Sequence, residues 1–223
     1  MPVYYHETIT PVSVPGKQFE YLDQMGKLIN ERTNQPGSPM RNIANWVTIW
    51  ATGHWPEIVG FWEMRDWEWF ADHFNANRLY MEIPQDFYEY RTGGFDRVLI
   101  PASFSPTLDQ VVDEGVRAPV VLQEIVHVVP GKADDYIAAI GDAGSAVGAK
   151  QRGLRLFGTY LVALRNRTEI LNFWSFDDFS TYVRTENDPA ADPELHAWRD
   201  RAHAYEVDHL GKLLCPTDWS ILK

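Results

Sequence analysis

Two stretches of this chain repeat one pattern 112 residues apart. Residues 57–66 read Glu-Ile-Val-Gly-Phe-Trp-Glu-Met-Arg-Asp, and residues 169–178 read Glu-Ile-Leu-Asn-Phe-Trp-Ser-Phe-Asp-Asp. Glu, Ile, Phe, Trp and Asp recur in register, since 169 − 57 = 112. Self-similarity at a fixed offset is the signature of a structural unit that is written twice. The repeat therefore predicts two copies of one module.

The signals around the repeated stretches follow the same order in both halves. A first strand ends at Pro-Gly-Lys, at residues 15–17 and again at 130–132, and a helix and a hairpin follow. A final strand is expected at Arg97–Ser105 and at Lys212–Ser220. These signals predict one module in residues 1–105, a linker in 106–119 and a second module in 120–223.

The order strand, helix, hairpin, helix, strand predicts the fold class α+β. Each module is expected to form a four-stranded antiparallel ferredoxin-like sheet with helices on one face. Large aromatic rings are costly to leave in water, so the bare faces need cover. We expect the two sheets to pack face to face as an α+β barrel with helices outside. The tryptophans are expected to point between the sheets and to leave a hollow there.

The module resembles the dimeric α+β barrel superfamily of ferredoxin-like proteins and, within it, NIPSNAP-type proteins. The resemblance lies in the Pro-Gly-Lys turns, the strands that end in Phe61-Trp62 and Phe173-Trp174, and the Asp and aromatic residues that open the next helix. NIPSNAP-type proteins often carry Glu-Leu-Arg in the first strand. Tyr5-His-Glu7 and Leu122-Gln-Glu124 stand there instead, so the role of that arginine does not carry over.

The resemblance implies a space between the sheets for small, often aromatic or polyketide-like, ligands. The superfamily includes cofactor-free monooxygenases, isomerases and cyclases, and also haem-binding branches. A shared fold does not choose among these functions.

Two sets of titratable residues are candidates for catalysis. Glu7 and Glu124 occupy matching places in the first strands, and burial among aromatic rings would raise their pKa values toward those of a general acid or base. His6 and His127 lie on the opposite strand parity, so only one of the two sets is expected to face the cavity. Structural bonding or exposure to solvent is the alternative role for each of these residues.

Aromatic residues and one amide form the candidate ligand-binding wall. They would stack against a flat or cyclic ligand, or serve as plain core packing. The candidates are Tyr5, Trp46, Trp50, Trp62, Tyr160, Asn172 and Trp174.

The sequence predicts neither a metal site nor a cofactor. His196, His203 and His209 are expected to follow one helix, where His196 and His203 lie about 10 Å apart, too far to share one ion. The dinucleotide and phosphate-loop fingerprints are absent. Haem stays an alternative, because a single well-placed histidine would suffice to bind it.

Charge and composition limit the partners. A net charge of −11 disfavours nucleic acid and anionic lipid. No apolar run approaches the roughly 20 residues that span a bilayer. A single cysteine and the absence of a secretion signal predict a cytoplasmic protein. A small hydrophobic ligand is the expected partner, with a homodimer or higher homo-oligomer if aromatic surface stays exposed.

Two functions therefore remain open. The first is a cofactor-independent cyclase, isomerase, lyase or monooxygenase that moves a proton on a hydrophobic cyclic or aromatic metabolite. The second is a non-catalytic binding or interaction protein in which the aromatic residues are packing. An enclosed pocket that touches Glu7, Glu124, His6 or His127 would favour the enzyme.

Overall fold

The computed structural model describes residues 1–76 and 85–223. In this part of the chain the strands are β1 (Val3–Pro11), β2 (Met40–Thr48), β3 (Ile58–Met64), β4 (Arg91–Pro101), β5 (Val120–Val128), β6 (Leu154–Val162), β7 (Glu169–Phe176) and β8 (Glu206–Pro216). The α-helices are α1 (Lys17–Leu28), α2 (Trp67–Ala76), α3 (Leu108–Asp113), α4 (Ala133–Gly148), α5 (Phe179–Asn187) and α6 (Pro193–Ala202). A π-helical turn (Ile29–Thr33) follows α1, and a 3-10 helix (Gln85–Glu89) precedes β4.

The eight described strands close into one barrel, in the order β1-β3-β2-β8-β5-β7-β6-β4. Each half contributes four antiparallel strands in the ferredoxin-like order, and helices pack outside. The predicted fold class, two ferredoxin-like sheets packed face to face as an α+β barrel, is confirmed. The halves join along β2–β8 and β4–β6, where each ladder pairs only three residues with three.

The repeated Pro-Gly-Lys turn has a backbone reason. Gly16 and Gly131 have φ values of +88° and +83°, in the left-handed region that glycine occupies without steric cost. Each turn redirects the chain from the end of a first strand into a helix on the outer face of the sheet. A residue with a side chain would strain both turns.

Aromatic rings fill the centre of the barrel. Phe61 and Phe173 lie 5.0 Å apart between ring centroids, and Trp46 stacks on both, at 5.8 and 5.5 Å. Tyr160 and Tyr4 continue the same cluster, 5.0 Å apart. These rings are at most 2% exposed, and they contact one another. The expected hollow between the sheets is therefore occupied by core at this level.

The final strand of each half begins earlier in the sequence than predicted. β4 starts at Arg91 and β8 at Glu206, each six residues earlier than expected. Gly93 and Gly94 lie within β4. A Cβ on Gly94 would lie 2.2 Å from the carbonyl oxygen of Thr8, so the close approach of β1 requires glycine.

Other expected elements also differ in place. β2 ends at Thr48, so Trp50, a candidate for the ligand-binding wall, lies in the connection to β3. The predicted linker, residues 106–119, contains α3, whose Leu108 and Val111 pack into the barrel core.

Two ion pairs cross between the halves at the same end of the barrel. Arg97 Nε on β4 lies 2.6 Å from Glu169 Oε1 on β7, and Lys212 on β8 pairs with Glu57 beside β3. The two pairs occupy matching positions, since 212 − 97 = 115 and 169 − 57 = 112. All four side chains are at least 87% buried, so each charge depends on its partner.

No helix among the described residues is both long enough and apolar enough to span a membrane.

Removing one partner of a crossed ion pair should destabilise the barrel. Glu169→Gln leaves Arg97 buried without its counter-charge, so we expect a loss of about 3 kcal/mol in the free energy of unfolding. Urea unfolding followed by circular dichroism measures it. Asp135→Asn is the control, because the Lys132–Asp135 pair lies half exposed on the surface and should change stability by less than about 1 kcal/mol. Equal losses in both variants would contradict the prediction.

Candidate functional site

Glu7 and Glu124 lie beneath the helices and not in the barrel. Both are buried, at 6% and 5% exposure. In the first half the indole N–H of Trp62 donates to Glu7 Oε1 at 3.1 Å, and in the second half the indole N–H of Trp174 donates to Glu124 Oε2 at 3.0 Å. The repeat therefore includes a buried pair of carboxylate and indole in each half.

The expected aromatic wall is divided among three environments. Trp46 and Tyr160 do point between the sheets, but they belong to the packed core. Trp62 and Trp174 point the other way, under the helices, because the neighbouring phenylalanine of each strand takes the inward position. The prediction that these two indoles line the space between the sheets is wrong. Trp50 is 75% exposed, in the β2–β3 connection.

The other two members of the predicted wall accompany the glutamates. Tyr5 shares the helix-facing side of β1, and its hydroxyl donates to Glu7 Oε2 at 3.5 Å. Asn172 stands in the second half where Gly60 stands in the first, directly opposite Glu124 in the β5–β7 register. Neither of these side chains faces the interior of the barrel.

The histidine candidates lie on the inward parity, opposite to the glutamates. His6 is fully buried, and its Nε2 lies 3.1 Å from Gln123 Oε1. Burial, together with the positive charges of Arg97 and Lys212, lowers the pKa of His6 to about 3, so its ring is neutral. His127 lies at the rim, 46% exposed, with its ring 3.7 Å from Glu169 and 3.8 Å from Asp208.

In the first half the carboxylate is enclosed by charged and aromatic neighbours. Glu7 stands opposite Asp96 in the β1–β4 register, and Arg91 Nη1 lies 3.8 Å from its Oε2. Burial, and then the charge of Asp96, raise the pKa of Glu7 to about 7. A Cβ at Gly60 would fall 2.6 Å from Glu7 Oε1, so glycine leaves the room that this carboxylate occupies.

In the second half Asn172 helps to fix the carboxylate. Its Nδ2 donates to Glu124 Oε2 at 3.2 Å and to the Tyr136 hydroxyl of α4 at 2.7 Å. Its Oδ1 accepts from Thr159 Oγ1 at 3.0 Å. Asn172 and Trp174 thus both hold the Oε2 atom of Glu124, and Oε1 faces a different partner.

That partner is His209, which lies on β8 and not on a helix with His196 and His203 as expected. His209 Nε2 lies 3.5 Å from Glu124 Oε1, and Nδ1 lies 3.3 Å from Glu206 Oε2. Hydrogen bonding to these carboxylates, first Glu124 and then Glu206, raises the pKa of His209 to about 10. At neutral pH an imidazolium therefore bridges two carboxylates.

This triad of Glu124, His209 and Glu206 opens onto a pocket of about 470 Å³. The pocket lies between the outer face of β5 and β8 and the helices α5 and α6. Its lining residues are Ala51, Thr52, Leu122, Glu124, Tyr182, Glu186, Trp198, Arg199, Ala202, His203, Glu206, His209, Gly211, Lys212 and Leu213. A partly open, polar and aromatic pocket beside a charged triad is the candidate site.

The walls of the pocket combine apolar surface with charged side chains of both signs. Trp198 and Tyr182 supply aromatic surface, and Leu122 and Leu213 supply aliphatic surface. Arg199 Nη2 and Glu186 Oε1 form a 2.6 Å ion pair between α6 and α5. The carboxylates of Glu124, Glu186 and Glu206 line the pocket together with the cations Arg199 and protonated His209, whereas the ammonium of Lys212 is paired with Glu57.

The triad is not suited to ligate a metal ion or the iron of a haem. Among the described residues, no three His, Cys, Asp or Glu side chains are placed to hold one metal ion. An axial haem ligand needs a neutral imidazole with a free nitrogen. Both nitrogens of His209 face carboxylates, and this histidine is protonated at neutral pH. His203 lines the pocket at the end of α6 and has neither of these carboxylate partners.

Sequence reasoning found Glu124 but missed His209 and Glu206. The available signal was a difference between the halves. Under the offset of 115, His209 matches Gly94 and Glu206 matches Arg91. A position where one copy keeps glycine and the other gains a titratable side chain marks the place where the two copies diverge.

Comparison with known proteins shows the fold. No protein-family model matches the sequence, and no curated protein does. An anthrone oxidase-like protein is similar in structure, with a TM-score of 0.70 and 12% identity over 97% of this chain and 91% of the other. A candidate monooxygenase from Lactobacillus acidophilus has a TM-score of 0.67 and 13% identity, over 96% and 93%.

A haem-binding protein from Thermus thermophilus is similar as well, with a TM-score of 0.55 and 9% identity over 98% of this chain and 93% of the other. NIPSNAP-family structures cover only 44–47% of this chain, at TM-scores of 0.37–0.39, so they carry no argument here.

The raised pKa of Glu7 should make stability depend on pH. The folded state binds this proton more tightly than the unfolded chain, so the free energy of unfolding should fall as pH rises from about 4.5 to about 7. Glu7→Gln lacks this ionisation and should be more stable than wild type at pH 8 by on the order of 2–3 kcal/mol, but not at pH 4.5.

Chemical unfolding at several pH values measures this difference. Glu20→Gln, on the exposed side of α1, is the control and should follow wild type. Parallel pH profiles for wild type and Glu7→Gln would contradict the prediction.

His209 should remain protonated well above neutral pH. In ¹⁵N-histidine NMR titrations we expect its midpoint near pH 10 in wild type. Glu124→Gln should lower it toward 6.5, because the largest stabilising hydrogen bond to the imidazolium is lost. Asp208→Asn, a neighbour that is 72% exposed, should leave the midpoint unchanged. A wild-type midpoint near 6.5 would contradict the triad.

Proposed function

We propose that this protein is a cofactor-independent enzyme that moves a proton on a small, flat, largely apolar molecule. The supporting observation is the imidazolium of His209 between Glu124 and Glu206, in the wall of a pocket of about 470 Å³. The site that we propose lies under the helices of the second half, and not at the packed centre of the barrel.

Glu206 is the proposed base. Its carboxylate lines the pocket, and one of its oxygens meets His209 Nδ1. Glu124 is bound to Trp174, Asn172 and His209, so its bonds suit an anchor better than a base. In this assignment Glu124 orients His209, and His209 orients Glu206.

The proposed step transfers one proton from carbon to oxygen. A C–H bond that is conjugated with the substrate carbonyl through the ring system breaks, and the proton goes to the Glu206 carboxylate. The electron pair of that bond delocalises onto the carbonyl oxygen as an enolate. The positive charges of His209 and Arg199 in the pocket wall favour this developing anion. Return of the proton to the oxygen, or to another carbon of the conjugated enolate, completes an isomerisation without any cofactor.

The lining of the pocket supports the proposed substrate class. Glu124, Glu186 and Glu206 outnumber the cations Arg199 and protonated His209 there, and Lys212 is neutralised by Glu57, so the pocket offers no excess positive charge to an anionic ligand. Trp198 and Tyr182 suit the face of an aromatic or cyclic compound. One similar structure is named as an anthrone oxidase-like protein, which agrees with a flat cyclic ketone as the proposed ligand.

A non-catalytic binding protein is the second candidate function. It is favoured by the engagement of both His209 nitrogens, which leaves neither nitrogen to reach a ligand directly. This candidate uses the same pocket, so only a measurement of turnover separates the two.

The test follows hydrogen exchange of anthrone, a flat tricyclic ketone with acidic C–H bonds, in D₂O under argon. Without oxygen, loss of the methylene NMR signal reports proton abstraction alone. We expect the wild-type protein to accelerate exchange and Glu206→Gln to lose at least about a hundredfold of that rate, the usual contribution of a general base. Asp208→Asn is the matched control on the same strand and should keep full activity.

Binding of anthrone without accelerated exchange would identify a binding protein. Full activity of Glu206→Gln would remove the proposed base. The same purified protein should show no strong absorption band between the near ultraviolet and the blue, and such a band would restore the haem alternative.

A further inference from the structure

The connection between β2 and β3 brings the first half of the chain to the pocket of the second. Ala51 and Thr52 of this connection line the pocket, beside Gly211, Lys212 and Leu213 of β8. The candidate site is therefore built from both halves, although its triad comes from the second half alone.

The base of this connection is fixed to β8. The backbone N–H of Ile49 donates to the carbonyl oxygen of Leu213 at 2.9 Å, and Thr52 Oγ1 accepts from the Leu213 N–H at 3.2 Å. The ion pair between Glu57 and Lys212 fixes the other end. These bonds hold Ala51 and Thr52 at the pocket and leave the tip of the connection in solvent.

Two features of the connection are unfavourable in the absence of a ligand. Trp50 and Trp55 are 75% and 51% exposed, although tryptophan gains most from burial. Ala51 has φ +67°, a left-handed conformation that favours glycine over alanine. An exposed indole next to a strained residue in the wall of a pocket suggests a binding role rather than packing.

We propose that Trp50 is a ligand-contacting residue of this pocket, and that its indole covers one face of a flat ring bound there. Trp50 directly precedes Ala51, which lines the pocket, and its indole is exposed and therefore free to turn toward a bound ring. A ring between Trp50 and the aromatic residues of α5 and α6 would be stacked on both faces. This proposal rests on the proposed function, because it takes the same flat ligand, and it adds a specificity residue from the other half of the chain.

The experiment uses anthrone and the full-length chain labelled with 5-fluorotryptophan. Trp50→Phe and Trp55→Phe assign the two ¹⁹F signals. On titration with anthrone we expect the Trp50 signal to shift and the Trp55 signal to stay in place. Trp50→Ala should bind anthrone about fivefold to tenfold more weakly, the usual effect of one good ring contact. Trp55→Ala, on the same connection, is the matched control and should bind within about twofold of wild type.

The possible outcomes distinguish the role of Trp50 from the proposed ligand class. Binding of anthrone to wild type, with an unmoved Trp50 signal or with equal effects of the two alanine variants, would overturn the role of Trp50 and leave the proposed function standing. Failure of anthrone to bind wild type at all would overturn the proposed ligand class and the role of Trp50 with it.

Discussion

The barrel depends on the register between its two sheets, which pair with each other along short ladders only. The ladders between the halves pair only three residues with three, so backbone hydrogen bonds alone give little specificity. The crossed pairs Arg97–Glu169 and Lys212–Glu57 supply it, because a shift of one strand would leave four buried charges unmatched. The aromatic cluster around Phe61 and Phe173 then fills the space that this register defines.

The two halves share a framework and differ in what they do with it. Both bury a glutamate against an indole on the helix-facing side of the sheet. Glycine opposite Glu7 leaves that carboxylate in an enclosed position with Arg91 and Asp96. Asparagine opposite Glu124 holds one carboxylate oxygen and leaves the other for His209, beside a pocket. The two matching glutamates therefore lie in different surroundings, one enclosed and the other beside a pocket.

Much of the fold was predictable from the sequence, because spacing and turn residues determine it. The recurrence of Glu, Ile, Phe, Trp and Asp located two hairpins, and Pro-Gly-Lys located two strand-to-helix turns. The direction of the tryptophans was not predictable, because both faces of these strands are buried, one by the opposite sheet and the other by helices. Phe61 and Trp62 are equally apolar, so alternation alone does not show which one faces inward. The candidate site needed the structure, because His209 meets Glu124 only across a strand pair.

The hydrogen bond between His6 and Gln123 joins two positions that correspond in the repeat. In an assembly of two identical chains, such positions on the symmetry axis would have to carry the same residue. One continuous chain is free of this restriction and places a ring opposite an amide there. The same freedom applies away from the axis. The first half encloses Glu7, whereas the second half has a pocket and the charged residues Glu206 and His209. Covalent linkage of the two halves thus permits an asymmetric molecule with a symmetric arrangement of strands.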